Sequence, residues 1–256
     1  MQLNEHQKGI LLTAFGVICI VPDALFVRII SAEPLVIAFW RSISAGLIIA
    51  AFANFQDRSG SYNVILKMGL KGWVYCVILA STSPAFVLAV SNTSVANVVF
   101  IFASMPMFTA IFSWMLLGET ISARTTITML LVAVGLSIIA FGSTANEHAH
   151  WIGDLFALYI SVAYGIAFTI LRGMKATSMV PVVPIAFCGS ALLIALITNP
   201  FIGFFENFWL YAVHGIFIAV GTTFLTLGPR LLPAPEVALL ILLESILAPL
   251  LVWAVL

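Results

Sequence analysis

SVANVVFIFASMPMFTAIFSWMLLGE, residues 94–119, is the stretch on which the fold of this chain turns. From Ser94 to Gly118 no residue carries a charge, and apolar side chains fall on every face of a helix drawn through them. A helix rising about 1.5 Å per residue needs about 20 such residues to cross the hydrocarbon core of a bilayer. A barrel strand would alternate apolar and polar residues over about ten positions, because one face meets lipid and the other a lumen. No such alternation is present, so the stretch reads as one membrane-spanning helix, closed by Gly118 and Glu119.

The same reading extends in both directions. Apolar runs of spanning length lie at about 9–30, 35–54, 72–91, 94–117, 124–142, 151–171, 181–199, 208–229 and 235–256, which predicts nine helices. Composition agrees: 62% of the 256 residues are apolar and 8% charged, too few charges to cover a water-soluble surface. The first run is too long for the core of a cleaved signal peptide and carries no small-residue cleavage site, so it reads as an uncleaved first span. Cys19, Cys76 and Cys188 sit singly in apolar runs and suggest neither a metal cluster nor a disulfide framework.

Connections between runs are short and polar, except for 55–71, whose apolar residues are free to lie on the membrane surface. With the N-terminus inside, Lys8, Arg58, Lys67, Lys71, Arg124, Arg172, Lys175 and Arg230 fall on the inner side, against Arg28 and Arg41 on the outer. That asymmetry meets the positive-inside rule and predicts a cytoplasmic N-terminus in a bacterial inner membrane. The ten Lys and Arg balance ten Asp and Glu, so nothing in the charge points to a nucleic-acid partner.

A weak internal repeat is also legible. An offset of 139 lays Ala96–Leu117 over Pro235–Leu256 and sets Ser81-Thr82-Ser83-Pro84 against the polar Gly221-Thr222-Thr223, while an offset of 144 pairs Gly9 with Gly153. A five-helix unit is odd-numbered, so its second copy enters the membrane from the opposite side. The expected architecture is an all-α membrane protein of two inverted five-helix units, 9–142 and 151–256. The second unit shows four helices before Leu256, which leads us to expect that the natural chain continues into a tenth.

These residues resemble the drug/metabolite transporter superfamily, in particular its ten-helix EamA-type members. The resemblance rests on Glu33-Pro34 with Phe39-Trp40-Arg41, on Ala96 through Pro106 to Leu116-Leu117-Gly118-Glu119-Thr120, on Gly153-Asp154-Leu155-Phe156-Ala157, and on Pro235–Leu256. It implies both termini in the cytoplasm and transport or export of amino acids, metabolites, nucleotide derivatives or drugs. The Glu-Pro pair frequent in the family's ninth helix is Glu244-Ser245 here, with Pro249 four residues on.

Candidate residues follow from the cost of polarity in lipid. Glu244 lies about 13 Å into its helix, where a carboxylate must face the bundle interior or water. It is read either as a proton-coupling or substrate-amine site or as a structural hydrogen bond between helices. Asp23 follows Pro22, and a proline inside a span frees backbone carbonyls beside that carboxylate. Asp23 also lies near enough to the outer interface to reach it. Arg41 can pair with Asp23, meet an anionic group, or snorkel to the outer headgroups; the resemblance, in which Arg is common at this place whatever the substrate, favours a structural role. Ser83, Thr222 and Thr223 are candidate substrate contacts or helix-packing groups, and Tyr164 a candidate cavity lining. Pro22, Pro84, Pro106 and Pro249 are expected helix breaks. Trp114 and Trp253 read as interfacial anchors, and His148, His150 and His214 as scattered.

The expected function is a secondary transporter, more in keeping with export, acting on small metabolites by alternating access and open to proton coupling. No cofactor or metal is expected. The partners expected are a small-molecule substrate and lipid, with a homodimer open. ATP-driven transport would need a phosphate-cradling Gly-rich loop with Lys, and none is present. The alternatives are an intramembrane enzyme acting on lipid, which would need converging catalytic motifs, and a membrane scaffold or signalling protein, which would ordinarily carry a soluble domain.

Overall fold

Asn4 opens the first helix. Its side chain accepts from the Gln7 N–H at 2.7 Å while the Gln7 side chain accepts from the Asn4 N–H at 3.1 Å, a reciprocal cap that satisfies donors the helix would otherwise leave free. Helix α1, Glu5–Ile20, ends two residues before Pro22, which has no N–H to continue the ladder, and α2, Asp23–Ile29, resumes the same span. The computed structural model describes residues 4–56, 63–120 and 151–256, together with 123, 126–127, 130–131 and 134–135.

Within these residues follow α3 (Pro34–Gln56), α4 (Asn63–Lys67), α5 (Gly69–Asn92), α6 (Val95–Phe102) and α7 (Met105–Leu117). After them come α8 (Trp151–Gly173), a 3-10 turn at Val180–Val182, α9 (Val183–Ala195), α10 (Phe204–Leu231) and α11 (Ala234–Val255). Among the described residues seven spans are long and apolar enough to cross a membrane, α1 with α2 and α6 with α7 each counting as one, and Val180–Ala195 is a shorter apolar helix. The chain is an all-α, multi-pass integral membrane protein. The expected fifth helix, 124–142, falls largely outside the described residues, as do Arg58, Arg124, His148 and His150. Large apolar side chains such as Phe15, Leu47, Val77, Trp114 and Trp253 stand on the outer surface, where lipid covers them at no cost.

The helix ends sort onto two faces. On the first lie the start of α1, the ends of α7, α8 and α10, and the start of α11. His6 meets Glu236 at 2.8 Å, Arg172 meets Glu119 at 3.3 Å, and Arg230 donates to the Lys175 carbonyl at 3.0 Å. On the second lie the ends of α2 and α5 and the start of α8, where Arg28 donates to the Thr93 carbonyl at 2.6 Å and Gly153 packs on Asn92 and Thr93. Helices α1 and α8 therefore cross the bundle in opposite directions.

Packing follows the same inversion. Let the halves be exchanged, so that α1/α2 replaces α8, α3 replaces α9, α5 replaces α10 and α6/α7 replaces α11. The pair α1·α10 then becomes α8·α5, α3·α10 becomes α9·α5, and α6/α7·α8 becomes α11·α1/α2, while α3·α9 and α6/α7·α11 map onto themselves. All of these pairs are in contact. Small residues permit the closest approaches: a Cβ on Gly16 would stand 2.9 Å from the Phe224 Cβ and 3.1 Å from the Gly221 carbonyl, and one on Gly165 would stand 3.1 Å from the backbone N of Thr109. With no hydrophobic gain from helix association in lipid, such close fits and interhelical hydrogen bonds hold the bundle.

Of the described residues in 55–71, Phe55 and Leu70 stand exposed while others turn inward. Met68 is buried, and Val64 and Ile65 pack against the core beside the 180–182 turn, because the bundle offers them an apolar floor there. Ser245, which stands where the related pattern has proline, donates to the Val99 carbonyl at 2.7 Å and ties α11 to α6. Ser245→Ala is expected to lower stability by about 0.6 kcal/mol, the average for one such bond between spans. Unfolding of the purified protein in detergent measures it.

Candidate functional site

The break at Pro22 places Asp23 in the first turn of α2, with its side chain turned inward and 1% exposed. Helix α3 brings Arg41 to meet it. The Arg41 Nε donates to Asp23 Oδ1 at 2.9 Å and to Oδ2 at 3.2 Å, and Nη2 donates to Oδ2 at 2.5 Å, a fork matched to a carboxylate. Its Nη1 donates to the Ser83 hydroxyl at 2.8 Å, and that hydroxyl pairs with Ser42 at 2.6 Å. The guanidinium also lies 5.3 Å from the centre of the Phe86 ring.

A third partner comes from α10. His214, fully buried, places Nε2 2.6 Å from Asp23 Oδ1 and stacks on Phe26 with centroids 5.0 Å apart. A carboxylate held by a bidentate arginine is ionised and only accepts, so the Nε2 of His214 carries a proton and donates it to Asp23, leaving Nδ1 as the other polar atom of the imidazole. That Nδ1 has no partner among the described residues. Arg41, Asp23 and His214 thus form a closed group inside the membrane.

Beside it lies a narrow cavity lined by Ile20, Asp23, Arg41, Phe86, Phe102, Met105, Tyr164, Phe168, Thr222, Leu225, Ile241 and Glu244. Both helix breaks are at this depth: Ile20 and Asp23 flank the first, and Phe102 and Met105 flank the second, between α6 and α7. Glu244 is 6% exposed, and no described residue donates a hydrogen bond to it. Ser161 stitches the second break, its hydroxyl 3.1 Å from the Ile101 carbonyl.

Side-chain contacts between helices lie toward both faces of the bundle. Toward the second face, Trp40 stacks on Phe204 and Tyr211 with centroids 4.4 and 5.6 Å away, and its indole N–H donates to the Pro200 carbonyl at 2.7 Å. Toward the first, Tyr75 and Thr226 meet at 3.2 Å.

Of the residues singled out from sequence, Asp23, Arg41, Tyr164, Thr222 and Glu244 share this cavity, and Ser83 braces Arg41 from behind. Arg41 does not snorkel: it is buried at 6% exposure, because Asp23 satisfies its charge within reach and no headgroup need do so. Thr223 lies elsewhere, in an outer groove with Ile48, Ile49, Phe52 and Phe224, its hydroxyl donating to the Ala219 carbonyl at 2.7 Å. Neither Pro84 nor Pro249 breaks its helix. Both α5 and α11 run on through them, since one missing N–H is tolerated where neighbouring turns and packed helices hold the rest. Pro22 and Pro106 do mark interruptions, with Pro106 in the first turn of α7.

Sequence reading passed over His214 and Ser42. An imidazole in the middle of an otherwise apolar span was the available signal, since an ionisable residue at that depth has to find a partner. The partner's identity lay in another helix, 191 residues away.

No curated protein matches the chain. A family model does: the EamA-like transporter family matches residues 7–141, a stretch that contains Asp23, Arg41, Ser83 and both helix breaks. That match covers more than half of the sequence, and it agrees with the all-helical membrane bundle and the buried polar cavity described above. The chain is a member of the EamA-like transporter family, within the drug/metabolite transporter superfamily.

Proposed function

We propose that this chain is a secondary transporter that exports small metabolites, amino acids or related compounds, by alternating access between its two halves, with proton coupling at Glu244. The observation that supports this most directly is the Glu244 carboxylate, to which no described residue donates a hydrogen bond, lining a cavity where helices of both halves meet. A charge in such a place is expensive unless it binds something, and a proton or a substrate cation serves equally to neutralise it. The paired contacts on either side of the cavity supply the parts of a two-gate cycle: the Trp40, Phe204 and Tyr211 stack on one side, and Tyr75 with Thr226 on the other. Since the packing pairs exchange when the halves are swapped, opening one gate and opening the other use equivalent helix contacts.

Orientation follows from charge. Lys8, Lys67, Lys71, Arg172, Lys175 and Arg230 belong to helix ends of the first face, which by the positive-inside rule is cytoplasmic, in a bacterial inner membrane.

The test is flux. Full-length protein in liposomes is expected to carry at least one member of a labelled panel of amino acids, their amine relatives and other small metabolites saturably, faster with an imposed pH gradient, and Glu244→Gln is expected to remove the gradient's effect. Flux equally gradient-dependent in Glu244→Gln overturns the coupling role. No flux of any compound from protein shown to be folded and inserted overturns transport of this substrate class.

A further inference from the structure

The charges lining the cavity do not balance: among the described residues Arg41 is the single cation, against the carboxylates of Asp23 and Glu244. Arg41 is moreover committed. Its Nε and Nη2 hold Asp23, its Nη1 holds Ser83, and Phe86 covers its guanidinium face. Asp23 is saturated in turn by Arg41 and His214. The pair contributes no net charge, and what a ligand meets is the remaining carboxylate of Glu244, more than nine-tenths buried and without a hydrogen-bond donor among the described residues.

The rest of the wall is apolar and aromatic. Phe86, Phe102, Phe168 and Tyr164 surround the site, and Tyr164 stacks on Phe168 with centroids 5.6 Å apart. Ring faces carry negative potential and favour a cation over an anion. A second ligand charge of negative sign would meet Glu244 and Asp23 with no uncommitted cation to receive it.

From this geometry we infer that the cavity selects amines of net positive charge, an ammonium on an apolar or aromatic body, over zwitterionic and anionic compounds of the same size. The ammonium pairs with Glu244 and the body lies among the phenyl rings. The inference rests on the transporter reading for its meaning but concerns binding, and within that substrate class it favours the amine relatives of amino acids, which lack a free carboxylate, over the amino acids themselves.

A matched series tests it: 2-phenylethylamine, phenylalanine and 3-phenylpropionate share a ring and a chain length and differ in net charge. Binding to the purified full-length protein in detergent, read from the ligand-induced rise in unfolding temperature and its concentration dependence, is expected to favour 2-phenylethylamine by about tenfold or more over phenylalanine, with 3-phenylpropionate weakest. Glu244→Gln is expected to abolish the preference and Glu244→Asp to retain part of it. The wild-type series needs no variant to fold.

Preference for phenylalanine or 3-phenylpropionate, binding of none of the three, or an amine preference that persists in Glu244→Gln each overturns the assignment. Flux in liposomes separates the two proposals. Selective amine binding without flux of any compound defeats the transport reading and leaves the ligand class standing, whereas flux of the zwitterion in preference to the amine does the reverse.

Discussion

Replacing Arg41 by Met is expected to lower the stability of this protein by about 3–5 kcal/mol, the cost of breaking a buried ion pair from one side. Asp23 would keep only the imidazole of His214 at 2.6 Å, in a site where the carboxylate is 1% exposed and three guanidinium contacts are lost. Ser83 would lose its strongest donor as well. The double variant Asp23→Asn with Arg41→Met removes both charges together, and the amide oxygen of the introduced asparagine still accepts from the imidazole. Its stability is therefore expected to return most of the way to wild type. Unfolding curves for the two single variants and the double variant give the coupling directly. A loss below about 1 kcal/mol for Arg41→Met would mean that the pair behaves as a surface salt bridge, contrary to its burial.

Gly221→Leu is expected to cost about 3 kcal/mol or more, at or above the upper end of what overpacking usually does, and to abolish transport. A Cβ at this place collides with the Ile20 side chain and lies 2.9 Å from the backbone oxygen of Gly16, so the clash is with the main chain of α1 and cannot be relieved by a side-chain rotation alone. Helix α1 leads directly into Pro22 and Asp23, and α10 carries His214, so separating the two helices also pulls on the contact between Asp23 and His214. Gly189 in α9 is the control: a Cβ there has no heavy atom within 4 Å, and Gly189→Ala is expected to be neutral or to stabilise by up to about 1 kcal/mol through helix propensity. Comparing the two variants by unfolding in detergent and by flux in liposomes separates close approach from helix propensity. Wild-type stability in Gly221→Leu would show that α1 and α10 are free to part without cost.

Much of the architecture was legible in residues 94–119 and their counterparts, because lipid leaves a backbone few choices. A run without charges on any face must be a helix, and its length counts the crossings. The internal offsets of 139 and 144 pointed at the same partners that exchange in the packing, α6/α7 with α11, α5 with α10, and α1 with α8. Interruptions were only half legible. All four prolines remove a donor, yet only Pro22 and Pro106 stand at breaks, and what differs at Pro84 and Pro249 is the support of neighbouring turns and helices.

For the site, the sequence by itself determined which side chains could not face lipid. Glu244 was identifiable from depth, because an ionisable group in mid-hydrocarbon must be satisfied inside the protein, whereas Asp23 and Arg41 lie near enough to the outer interface that the sequence left both an outward route. Who satisfies whom was decided only by the tertiary structure. Asp23 binds Arg41 18 residues away and His214 191 residues away, while Glu244 in the same cavity is left without a donor among the described residues. The physical reason is that burial cost belongs to a single residue and its depth, whereas neutralisation belongs to a pair, and pairs across helices are set by packing distances that no single stretch of chain contains.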